Sequence, residues 1–150
     1  MGGNKMSDDA LLLNLEDVDE NPQFEVMPKG KYSVIVEEIS YGTSSTGNPL
    51  MTSKLKVFES GEFDGRLLWN HMALHTDFGR SRLKKFLMLV SPEENLAAFD
   101  PNEFANSGRG IGVPLIADVA VRSYEGKPTN NVKDILPYQS ANSFLGGMEV

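Results

Sequence analysis

The sequence predicts a mostly β domain of five strands with one main helix between the third and the fourth. Three observations carry this. Residues 32–74 hold three β-rich runs separated by clusters of Gly, Ser, Asn and Asp. Near Asp77 the period becomes helical, with Leu83, Phe86, Leu87 and Val90 on one face. Two more β-rich runs follow, joined by the turn "EGKP".

Taken in order, residues 1–25 read as an acidic, flexible leader, since they lack sustained periodicity. Within it Leu11, Leu15 and Val18 could line one face of a short helix. The domain, residues 26–138, opens at "MPKGKYSVIVEEIS", where Pro28 and Gly30 signal a turn and Tyr32 to Ile39 a strand. The loop "YGTSSTGNP" leads to a second strand, Met51 to Ser60. "GEFDG" is a turn, and Arg66 to Leu74 a third strand, so the three form an antiparallel meander. Asp77 is the expected N-cap of the helix, whose cations Arg80, Arg82, Lys84 and Lys85 read as a solvated face. Two X-Pro pairs in "SPEENLAAFDPNEFANSG" predict one or two short helical turns. "VPLIADVAVRSY" and "TNNVKDILPY" are the last strands, and residues 139–150 read as a flexible tail.

The order β-β-β-α-β-β matches a five-stranded OB-fold barrel, with the helix plugging it. Such barrels bind ligands across strands two and three and the adjoining loops. Period-two alternation puts Ser53, Leu55 and Val57 on the inner face of "TSKLKVF" and Lys54, Lys56 and Phe58 on the outer one. Strand three offers Arg66, with Trp69 and His71 on one face. Arg122 and Tyr124 end strand four in step, Lys127 sits in the next turn, Lys133 on the last strand, and Tyr41 at the first long loop. Cations hold phosphates and aromatic rings stack on unpaired bases, so this alternation predicts single-stranded DNA binding without base reading. Taken singly, each residue also has an ordinary structural explanation. Trp69 fits a core position as well as a platform, Tyr124 a half-buried strand end, and the lysines a protected edge.

A net charge of −7 over 150 residues opposes a polyanionic partner until its distribution is considered. Residues 1–25 hold seven acids and one base, whereas residues 51–90 hold seven bases and four acids. The absence of cysteine excludes disulfides and thiolate metal sites. No signal-like or membrane-spanning segment is evident, so a cytoplasmic location and no membrane partner are expected. Catalysis is not expected. His71 and His75 lack a third ligand, "GRGIG" lacks the ending of a phosphate loop, and nothing brings Asp64, Arg66 and Asp118 together. No cofactor or metal is expected. Two other readings stay open: a protein-interaction or structural module acting through the acidic leader, and saccharide binding, against which the lysines argue.

Several motifs together resemble a family of OB-fold single-stranded DNA-binding proteins of bacteriophages and prophages. They are Pro28-x-Gly30-x-Tyr32, Gly47-Asn48-Pro49, Gly65-Arg66 leading to Trp69, Tyr124-x-Gly126-Lys127, and Asn131 to Asp134. The resemblance implies non-enzymatic, sequence-tolerant binding in phage DNA replication or recombination, in the cytoplasm of an infected bacterium. It also implies phage or host replication proteins as partners and is compatible with a homo-oligomer. The chain departs from the family in carrying Ser45-Thr46 where members often have Ser-Lys. Its acidic segment lies at the N-terminus, where it is expected to compete with DNA for the cationic face or to recruit replication proteins.

Overall fold

A computed structural model describes residues 11–16 and 26–139. The strands are β1 (Gly30–Thr43), β2 (Pro49–Val57), β3 (Leu67–Ala73), β4 (Pro114–Tyr124) and β5 (Lys127–Pro137). Two helices, α1 (Asp77–Val90) and α2 (Pro101–Ser107), lie between β3 and β4, the second being a short helix within residues 91–108, where helical turns are expected. All pairings are antiparallel, in the order β3-β2-β1-β4-β5, which leaves β3 and β5 as the edges of an open sheet.

One face of this sheet makes the core. Val34, Val36 and Ile39 of β1 lie beside Val57, Leu55 and Ser53 of β2, and these continue into Leu68, Asn70 and Met72 of β3. Two extra residues adjust the alternation. Glu37 falls between the pairs Val36–Leu55 and Glu38–Lys54, and Lys133 falls between Asp134–Asp118 and Val132–Val119. Each is a bulge that bends its strand and keeps the apolar set facing inward. Across the core lie Leu83, Phe86, Leu87 and Val90 of α1 and Phe104 of α2, all buried.

The loops are shorter than the sequence implies. β1 runs on to Thr43, so only residues 44–48 turn the first hairpin. β2 stops at Val57 instead of Ser60, because Glu59 adopts a positive φ of 57° and turns the chain. The β4–β5 turn is two residues, Glu125 and Gly126, with φ of 51° and 80°, a primed turn whose twist matches the flanking strands. Leu11 to Glu16 are irregular and exposed, with no helix there, and Val18 lies outside the described residues. The rest of the leader and the tail beyond residue 139 also lie outside them. Among the described residues, no helix is long and apolar enough to cross a membrane.

The helix α1 is fixed at its start. Thr76, not Asp77, is the N-cap: it is extended, and its hydroxyl accepts from the Gly79 amide at 2.9 Å. Asp77 instead sits inside the first turn, where a carboxylate favours the positive end of the helix. Gly79 presses on the end of β3 so closely that a Cβ there would lie 1.9 Å from the Ala73 carbonyl oxygen. The Arg80 Nε donates to the Leu74 carbonyl at 2.8 Å, fastening the same corner.

Arg82 does not belong to a solvated face. Its guanidinium donates to the Asn70 side-chain oxygen on β3 and to the carbonyls of Val132 (3.1 Å) and Lys133 (3.0 Å) on β5. It therefore spans the unpaired seam between the two sheet edges. Burial lowers its pKa, partly opposed by Asp134, and its intrinsic basicity keeps it charged. Farther round, Arg109 grips Glu94 (2.6 Å) and Glu103 (2.7 Å) and lies over the Phe104 ring, joining α2 to the loop that follows α1. Arg109 holds both carboxyls below their ordinary range, and Lys85, 2.8 Å away, does the same for Asp134.

Gly79→Ala should destabilise the fold by at least about 3 kcal/mol, the upper end of overpacking penalties, because backbone cannot give way. Gly42→Ala, with open space around it and ordinary φ, should stay within about 0.5 kcal/mol. Urea unfolding of both variants checks the pair. The three lowered carboxyls contribute stability that is complete above their unfolded pKa of about 4 and is lost as pH falls through the lower folded values. The melting temperature should therefore drop below about pH 4, and Arg109→Gln should flatten that fall. Parallel acid titrations of the two proteins would measure it.

Candidate nucleic-acid interface

On the outer face of the sheet, Lys54 and Lys56 point away from the core as the alternation requires. Their surroundings differ from the expectation. Lys54 lies 3.4 Å from Glu38 and 3.9 Å from Glu37, and Lys56 lies 3.9 Å from Glu37. The bulge on β1 sets these two acids beside the two lysines, so the patch is nearly neutral. Such exposed pairs are worth at most about 1 kcal/mol, and a stronger anion can displace them.

Trp69 stands directly opposite Lys54 in the β2–β3 register and is 50 % exposed, so it is not a core residue. His71 lies opposite Thr52, 3.0 Å from its hydroxyl through Nδ1. Both rings reach over the β3 edge toward β5. There they line a groove of about 480 Å³ with Phe78, Arg82, Arg122 and Lys133. A neighbouring groove of about 330 Å³ shares Trp69, His71 and Asn131 and adds Arg66 and Asn130. No carboxylate lines either one. Lys133 is 3.8 Å from Asp118, whose carboxylate lies in a third cavity of about 360 Å³ that continues along Arg82 and Phe78.

The seam thus gathers five of the residues expected from sequence: Arg66, Trp69, His71, Arg122 and Lys133. Lys54 and Lys56 lie one strand away. Tyr124 and Lys127 face each other across the tip of the β4–β5 hairpin, beyond the last β1–β4 pair, and Tyr124 is well exposed. Tyr41 is drawn to the other side, since it pairs with Met51, an inward position. Phe58 lies past the end of β2, half-buried against Tyr138 at 5.6 Å between ring centroids, and its amide donates to the Ser33 carbonyl. It does not stand with the lysines as an exposed ring. Tyr138 donates to Glu59, which with burial raises its pKa.

Three seam residues carry no obvious sequence signal. Asn70 is hidden in a strand pattern as a buried polar residue, and Arg82 reads as one helix cation among four. Phe78 precedes the apolar stripe of α1, and its position outside that stripe is the one clue to its exposure. Among the described residues, no group of three or more His, Asp or Glu is placed to hold a metal ion, and His71 and His75 form no such site.

The chain belongs to DUF669, a family of proteins of unknown function, whose profile matches residues 14–140. No curated protein matches it. The matched span contains every strand and helix of the described residues and the whole seam.

Removing the bridge across the seam should be costly. Arg82→Ala should lose about 2–3 kcal/mol, as expected for a charged donor serving several partly buried acceptors. Lys84→Ala, on the exposed side of the same helix, should change stability by less than about 0.5 kcal/mol. Chemical denaturation of both would test the contrast.

Proposed function

We propose that the protein binds single-stranded DNA without sequence preference and without chemistry, in phage DNA replication or recombination. In this reading the sheet is a five-stranded OB barrel whose β3–β5 closure is left as a groove. The strand order, the helices inserted between β3 and β4, and the facing of the two edges across Arg82 support it.

The observation that carries the proposal is Trp69: a large, half-exposed ring in a groove with cations and no carboxylate lining it. An exposed indole offers a face on which any base can stack, worth about 1–3 kcal/mol per base. Arg66, Arg122 and Lys133 would meet the phosphates on either side of it. Asn131 and His71 add polar contacts that suit sugar and base edges alike. A duplex hides the faces of its bases, so this combination favours the single strand. Lys127 and Tyr124 on the hairpin tip would extend the same chemistry beyond the barrel wall. Lys54 and Lys56 would contribute only once a phosphate displaces Glu37 and Glu38.

A fluorescent oligothymidine should bind more tightly than duplex DNA of the same length. With about four phosphates met by cations, log affinity should fall with log salt at a slope of about −3. Trp69 is the single tryptophan, so its fluorescence should be quenched on binding. Trp69→Ala should weaken binding by about 1–3 kcal/mol. Glu38→Gln should tighten it by freeing Lys54. Equal affinity for duplex and single strand, or undisturbed tryptophan emission, would defeat the stacking reading.

A further inference from the structure

We propose that Phe78, on α1, is a second base platform, so that the strand threads the seam between β3 and the start of α1. This rests on the single-strand reading of the groove and adds a wall to it that comes from a helix.

Phe78 is 73 % exposed, more than any other described aromatic ring, although it belongs to a helix that buries Leu83, Phe86, Leu87 and Val90. A single exposed ring is ordinary, but this one lines a groove together with a second exposed ring, Trp69. The position of Phe78 is set tightly. The Thr76 cap, the backbone contact at Gly79 and the Arg80–Leu74 hydrogen bond bracket it on both sides. The start of α1 therefore cannot drift from the end of β3. Trp69 lies on that same strand, and both rings line the larger groove.

The ring is also backed. The Arg82 guanidinium lies 5.8 Å from its centroid and is itself anchored to Asn70 and to two β5 carbonyls. A cation over one face restrains the ring and leaves the rest open to solvent, so little freedom remains to be lost when a base stacks on it. Asp77, beside it in sequence, is fully exposed and 4.0 Å from Arg80. In the cavity on its far side, Asp134 is held by Lys85 and Asp118 lies near Lys133. Arg122, which has no ion pair among the described residues, remains to balance phosphate along the path, and Lys133 could do so by exchanging Asp118 for it.

A stacking platform and a prop for Arg82 differ in what they need from the ligand. Binding of oligothymidine and of an abasic strand of equal length should be compared for the wild type, Phe78→Leu and Trp69→Ala. Leucine keeps an apolar cover over Arg82 but has no π face. For a platform, Phe78→Leu should weaken oligothymidine about tenfold and leave the abasic strand unchanged. Equal weakening of both strands would mean that Phe78 acts through Arg82, and would overturn the proposal. No change in either strand, while Trp69→Ala still weakens oligothymidine, would place the strand away from α1 and leave the single-strand function standing. Failure of the wild type to bind any strand would defeat the functional reading and this inference together. As a second readout, Phe78→Trp in a Trp69→Phe background should show emission quenched by oligothymidine. Unquenched emission with retained binding would also overturn the proposal.

Discussion

The arrangement of this molecule depends on one guanidinium. Two sheet edges that face each other across a core would ordinarily pair, because an unpaired edge exposes a row of backbone donors and acceptors. Arg82 enters that gap from α1 and donates to the Val132 and Lys133 carbonyls and to Asn70. It holds β3 and β5 in proximity and engages two of the β5 carbonyls toward which β3 could otherwise zip. The bridge is not free. Its Nε, the Asn70 Nδ2 and the Ser53 hydroxyl are buried without a partner, and burial depresses the arginine pKa. Each unmet buried group costs about 1–3 kcal/mol. An apolar seam would avoid that cost but would also offer nothing to keep the edges apart. A polar, incompletely satisfied seam is the physical condition for a groove in this position.

Because α1 makes the bridge, the fold has to place α1 accurately, and Gly79 does so. No other residue allows the first turn to lie against the Ala73 backbone. Capping by Thr76, close packing at Gly79 and bridging by Arg82 fall within seven consecutive residues, and the exposed Phe78 sits among them. The corner that stabilises the open sheet is therefore also the corner that shapes the groove. Stability and the proposed function share residues here, so substitutions in this stretch must be judged against a binding control and an unfolding control together.

Much of the strand pattern is legible in the sequence because period-two alternation is a local property. Ser53, Leu55 and Val57 face the core, Trp69 and His71 share a side, and Arg122 and Tyr124 are in step, all as alternation requires. What is not legible depends on register. Nothing in the order of residues says that Glu37 and Glu38 lie beside Lys54 and Lys56, since that follows from a bulge on a neighbouring strand. Phe58 is lost to the outer face because a positive φ at the next residue ends β2 early. The Asp77 expectation fails by one position, since Thr76 and Asp77 are both capable caps and only backbone geometry separates them. Arg82 and Phe78 are harder still. Their roles exist only once β5, distant in sequence, has returned to the side of α1.

The two bulges show how one backbone device sets which charges meet on the outer side of the sheet. On β1 the extra residue is Glu37, and its carboxylate joins Glu38 against the two lysines of β2, silencing the most conspicuous cationic pair in the sequence. On β5 the extra residue is Lys133, placed at the wall of the groove beside Arg82, with Asp118 as its counter-ion at 3.8 Å. The middle of the sheet is thereby left nearly neutral, and the cations at its open edge that have no ion pair among the described residues are Arg66 and Arg122. A ligand attracted by phosphate-binding cations would be directed to the seam, where the exposed rings are, instead of across the flat face. The overall charge of −7 is no obstacle to that, because screening confines the influence of distant acids to about 8 Å at physiological salt. What a strand would meet is the local field of the groove: two cavities lined by cations without a carboxylate, and a third beside them in which Asp118 and Asp134 are paired with Lys133 and Lys85.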